Sequence, residues 1–276
     1  MAMKLGFTEF SYGYAFTENL IRSSISAPVA APVFPNLVQE AKCGYDVKVE
    51  LPGMPLFFQF KLPELMERNN AKEIKLGLCG LSVQFFRMPL MRKDISEQHA
   101  KLIDLEKKFP KAVFYASPGN KDFASFNSAY SQAEVHLQSV LFSPSDIGEL
   151  PDNKSHYVSY CPVKWVAWRC SEPKRVKAYT FKDIEYATNE ALSERRGRSL
   201  QDTINEVHQR VRCFIPSELR NAEQELRQRV KARMDSVELI DDRARSVSMD
   251  ILVLRELVRV GVGGELLIAQ PRDSKA

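Results

Sequence analysis

Asp46, Gln59 and Lys61 are the side chains in this chain whose types and spacing suit a reaction. A carboxylate and a side-chain carbonyl oxygen are hard ligands of the kind Mg²⁺ takes, alongside waters and substrate phosphate. A lysine beside them can stabilise charge on a phosphate, or orient or deprotonate an attacking water. The chemistry this trio suits is metal-dependent phosphodiester cleavage.

The elements that must position them form a predicted β-hairpin. The segment Glu40 to Leu51, followed by Phe57 to Lys61, reads as two strands joined by the turn residues Pro52-Gly53-Met54-Pro55. If the hairpin is symmetric, Asp46 lies opposite Lys61 and Lys48 opposite Gln59. Alternation then gathers Asp46, Lys48, Glu50, Gln59 and Lys61 on one face, and Val47, Val49, Leu51, Phe58, Phe60 and Leu62 on the other. A solvent-facing sheet with a Lys–Asp pair shows the same alternation, so the pattern admits both meanings.

Asp46 followed after a short interval by Gln59-Phe60-Lys61 resembles the PD-(D/E)XK nuclease superfamily, in the Mrr-like variant that carries glutamine in place of the second acid. Glu40 and the Gly44-Tyr45-Asp46 run fit the same pattern. The resemblance covers roughly residues 14 to 116. It implies a restriction-endonuclease-like core and a Mg²⁺-dependent endonuclease, with Mn²⁺ able to substitute. DNA is the favoured substrate, and a place in prokaryotic antiviral defence goes with this variant. By the same resemblance Asp46 is the principal metal ligand, and Gln59 and the Phe60 carbonyl supply neutral oxygens. Lys61 is the charge-stabilising or base-assisting group, and Glu40 completes the site, with Glu18 as the alternative acid. Members often present a polar residue from the helix after the lysine strand, a role open to Gln98 or His99. The rival reading is a catalytically inactive module of the same fold that binds nucleic acid or protein, since fold does not fix function.

The 276 residues suffice for one large domain or two modest ones, and a net charge of +4 permits a nucleic-acid partner without requiring one. The five cysteines are odd in number, scattered and without a CxxC pair, which argues against a zinc cage or a disulfide framework and suggests a reducing cytoplasm. Neither a signal peptide nor a membrane-length apolar run is apparent, so no membrane partner is expected. None of the four histidines has a neighbour at HxxxH spacing.

Texture divides the chain in two. Residues 1–170 alternate strand and helix signals, predicting α/β with a mixed central sheet flanked by helices. Tyr14 to Ile21 predicts a short helix with Phe16, Leu20 and Ile21 inward, and Leu76 to Leu90 one or two strands. Ser96 caps a helix over Glu97–Phe109 with a Leu102, Ile103, Leu105, Phe109 stripe, and Ala112–Ala116 is a buried strand. A right-handed crossover is expected if these strands share one sheet. His156–Tyr160 and Lys164–Arg169 predict two more strands. Trp165 and Trp168 lie there at different phases, suited to core packing or to stacking on bases.

Residues 171–276 predict a mainly helical, arginine-rich region with helices over 183–193, 199–213 and 216–234. Arg195, Arg196 and Arg198 form a basic turn suited to a phosphate backbone, or to solvent beside acidic neighbours. Ser246–Val260 is an apolar helix, followed by a glycine break and a strand over 265–270. So apolar a helix must pack on its own domain, a partner protein or a second copy in a homo-oligomer.

Overall fold

The computed structural model describes residues 2–23, 53–170, 172–217, 220, 223–234 and 242–271. The first strand of the expected hairpin, with Glu40 and Asp46, lies outside the described residues. The protein is mixed α/β with a helical C-terminal region, as the sequence pattern implies. Two compact units make it up, one of residues 1–20 and 58–186, the other of residues 21–57 and 187–276. The break falls between Tyr186 and Ala187 rather than at 170, and the second unit also draws in an early segment.

In the first unit a six-stranded sheet runs in the order β1 (Ala2–Met3), β3 (Glu64–Met66), β4 (Phe85–Leu90), β7 (His156–Cys161), β8 (Val166–Arg169), β9 (Lys174–Val176). Every adjacent pair in it is antiparallel. Phe86 opposite Tyr160, Met88 opposite Val158 and Leu90 opposite His156 put a buried apolar face on one side. The expected single central sheet is therefore two: β2 (Met54–Phe60), β5 (Val113–Pro118) and β6 (Ser139–Phe142) lie side by side in another. The helix α3 (Gln98–Lys108) links β4 to β5 in different sheets, so the crossover rule for one sheet does not apply.

The N-terminal helix α1 (Glu9–Ser23) is longer than its sequence signal. Its buried side chains include Tyr12, Phe16 and Asn19, whereas Leu20 and Ile21 stay partly exposed. Phe16 meets the rings of Phe58 and Phe60 at 5.2 and 5.3 Å, and Tyr12 meets Phe60 edge-on. Gly13 makes this approach possible, because a Cβ there would stand 2.9 Å from the Phe60 ring. The α3 stripe packs as expected, with Leu102, Ile103, Leu105 and Phe109 all buried. Ser96 Oγ accepts from Gln98 N at 3.1 Å, one residue ahead of the N-cap position.

In the second unit α7 (Leu200–Val211) opens on a capping box between Ser199 and Asp202. It packs with α9 (Asp242–Val262), which also covers α8 (Glu223–Met234) and β10 (Glu265–Ala269). Val247, Ile251, Leu254, Leu257 and Val258 of α9 are buried there. The apolar C-terminal helix thus packs on its own unit, and its burial gives no ground for a homo-oligomer or partner protein. Gly53 sits close against this unit: a Cβ would meet Ile268 at 2.7 Å and Leu200 at 3.1 Å.

Candidate active site around Gln59 and Lys61

The strand that carries the Gln-x-Lys motif begins at Met54, inside the expected loop, because Met54, Leu56, Phe57 and Phe58 are all buried and burial overrides the turn residues. Gln59 is buried as well, at 7 % exposure, while Lys61 is half-buried. A solvated sheet face is therefore excluded at Gln59. Burial of a primary amide requires partners, and Gln59 has two. Its Nε2 donates to Phe60 O at 3.1 Å, and its Oε1 accepts from Gln98 Nε2 at 3.0 Å. A carbonyl can only accept, so the contact with Phe60 O fixes which end of the Gln59 amide is which.

The backbone of Lys61 is held on both sides. Its N–H donates to Ala116 O and its carbonyl accepts from Ser117 Oγ, each at 2.9 Å. Ser117 Oγ in turn lies 2.9 Å from the Tyr160 hydroxyl, which also reaches Pro118 O at 2.7 Å. Burial drives the Tyr160 phenol well above its ordinary pKa, although the Ser117 contact pulls the other way, so it stays a proton donor at all working pH values. The next amide, Leu62 N, donates to Glu9 Oε2 at 3.2 Å. Among the described residues Lys61 Nζ forms no ion pair.

Of the expected partners, Gln98 comes to the motif. Side chains alternate along β2, so Gln59 faces away from the Phe58 and Phe60 side that α1 covers. Glu18 rides on that helix and accepts a 2.7 Å hydrogen bond from Asn19 Nδ2. His99 is a core residue: Nδ1 lies 2.9 Å from the Tyr115 hydroxyl and Nε2 2.9 Å from Gly148 O. Burial lowers its pKa and keeps it neutral. Ser117, Tyr160 and Glu9 were not legible beforehand. The one signal for the first was a serine at the end of an otherwise apolar strand.

For a divalent cation, the described part offers the carbonyl oxygens Gln59 Oε1 and Phe60 O, which accept from Gln98 Nε2 and Gln59 Nε2. Such oxygens suit Mg²⁺ only with carboxylates to supply charge. Asp46, with Glu40 or Glu18, is the expectation for these, and Asp46 and Glu40 lie outside the described residues. Among the described residues no cluster of three histidine, cysteine, aspartate or glutamate side chains is placed to hold a metal.

The basic turn of the second unit is largely occupied. Arg195 and Arg198 both reach Glu206 Oε2 at 3.2 Å, Arg210 reaches the same carboxylate, and Arg195 also donates to Gly53 O. Of the three expected phosphate contacts, Arg196 is exposed and forms no ion pair among the described residues. No helix among the described residues is long and apolar enough to cross a membrane. No family model, no curated protein and no solved structure matches the chain.

Proposed function

We propose that this chain is a metal-dependent nuclease that hydrolyses phosphodiester bonds, with DNA as its substrate. The observation that carries the reading is the Gln98–Gln59 hydrogen bond, which sets the first residue of the helix after the motif strand beside the motif itself. In this reading Asp46 and Glu40 bring the charge that holds Mg²⁺ or Mn²⁺, and Gln59 Oε1 adds a neutral donor. The bound ion supplies Lewis-acid activation of the phosphate and its attacking water. Lys61, its main chain pinned by Ala116 and Ser117, stabilises the charge that grows on the phosphate.

Cleavage of plasmid and single-stranded DNA in Mg²⁺ or Mn²⁺ tests this. Lys61→Ala is expected to lower the rate roughly 10²- to 10³-fold, and Asp46→Ala to abolish it, with circular dichroism unchanged in both. Cleavage indifferent to either substitution would remove the assignment. The second reading, a catalytically inactive binding module, is favoured by the engagement of the Gln59 amide at both ends. Calorimetric titration of Mg²⁺ separates the two: the nuclease binds it through Asp46 and the module does not.

A further inference from the structure

Trp165 and Trp168 are the only tryptophans in the chain, and neither is in the core. Trp165 is 42 % exposed in the turn between β7 and β8, beside Val163 at 89 %. It holds φ at +50°, a left-handed conformation uncommon for a bulky side chain. Backbone strain of this kind concentrates where function fixes it. Trp168 is half-buried on β8. Its Nε1 donates to Cys79 O at 3.1 Å, and the Arg175 guanidinium of β9 stands over its ring, 6.0 Å from the centroid. Arg175 lies directly across from Trp168 in the register of the two strands.

Charge gathers on the same two strands and their turn. From Val163 to Lys177 the chain carries Lys164, Arg169, Lys174, Arg175 and Lys177 against Glu172 as the one acid. Arg169 is buried and pairs with Glu172. Lys164, Lys174, Arg175 and Lys177 are exposed, and none forms an ion pair among the described residues. Lys164 and Lys174 instead reach neutral oxygens, Ser82 Oγ and Asp146 O. Positive charge beside an exposed aromatic ring is complementary to a strand of phosphates with unpaired bases. Cations track the backbone, and a ring accepts a base face whatever its sequence.

We propose that the β8–β9 edge of the six-stranded sheet binds single-stranded nucleic acid. A base stacks on Trp165, Arg175 beside Trp168 contacts phosphate, and Lys164 and Lys177 extend the backbone contact, whereas Lys174, across from Arg169, lies on the other face of the two strands. This site shares no residue with the Gln59–Lys61 motif and does not depend on cleavage there.

Intrinsic fluorescence reads the site directly, since all tryptophan emission comes from it. Titration of the full chain with oligodeoxythymidylate in EDTA should quench the emission, and a rise in salt should weaken binding. Arg175→Ala is expected to flatten the log–log salt slope by about 0.7. Trp165→Gly, which relieves the backbone rather than straining it, should fold normally and bind roughly 5- to 150-fold more weakly. Fluorescence anisotropy of a labelled oligonucleotide reports that variant. Emission unmoved by the oligonucleotide, equal affinity in Trp165→Gly, or equal quenching by polyglutamate would each overturn the proposal, the last in favour of an acidic protein partner. Binding in EDTA without cleavage in Mg²⁺ would leave this site standing and remove the nuclease reading. Cleavage with unaltered emission would do the reverse.

Discussion

Glu73 shows how a buried charge is held on this scaffold. It is 2 % exposed, in the short helix α2 (Lys72–Lys75), and takes two hydrogen bonds from Arg87 at 2.8 and 2.5 Å and one from Ser159 at 2.8 Å. Burial alone pushes its carboxyl up, yet the bonds from Arg87 and Ser159 prevail and hold it below its ordinary 4.5. A carboxylate with a lowered folded pKa contributes stability above its unfolded pKa and loses it as pH falls through the folded value. Arg87→Met leaves the charge without its main partner and should cost about 3 kcal/mol at neutral pH, the low end of the range for broken buried pairs, since Arg87 keeps some exposure. In the variant the Glu73 pKa rises, so acidification neutralises the stranded charge. The stability gap to wild type should then narrow between neutral pH and about pH 4. Urea denaturation at the two pH values measures it, and a gap independent of pH would show that Glu73 does not carry the effect.

At the scale of elements, local pattern was legible and partnership was not. The period of α3, the buried run of β5 and the Ser199 cap of α7 rest on neighbours within a few residues, and each follows from its own segment. β2 is different. Pro52-Gly53-Met54-Pro55 has the composition of a turn, but Gly53 is bracketed by Thr203, whose Oγ1 accepts from its N–H and donates to its carbonyl, both at 3.1 Å. No local signal reports a partner 150 residues away. The tryptophans, suited by sequence to core or surface, lie outside the core, which Val166 and Ala167 fill beside them. At the candidate site the motif strand and Gln98 were readable from type and spacing, whereas the Ser117–Tyr160 clamp depends on pairing between strands far apart in sequence. One element contact is open to direct test. Gly13→Ala sets a methyl against the Phe60 ring and should destabilise the protein by about 1–3 kcal/mol, as overpacking does. The same push on Phe60, which neighbours Gln59 and Lys61, should lower any cleavage activity beyond the loss of folded protein. A Tm equal to wild type would show that α1 has room to shift.

The whole molecule divides where texture does not. Aromatic residues thin out near 170, but the first unit continues to Tyr186. Val176 is buried, β9 pairs along β8, and Tyr179 exchanges two backbone hydrogen bonds with Leu141 at 3.0 and 2.9 Å. A chain ended at 170 loses all of these and exposes the apolar surface they cover. It should be markedly less stable than the intact protein in urea, or fail to fold, with circular dichroism as the readout. A fragment of native stability would place the boundary at 170 after all.

Among the described residues the sheet ends in β9, whose outer edge is the kind of ribbon on which another chain can zip up. Lys174, Arg175 and Lys177 sit along that rim, and like charges on two such rims repel. These three cations therefore also act as gatekeepers against self-templating. A variant with all three neutralised would lose more than a ligand: it would be the form of this protein most inclined to clump in storage.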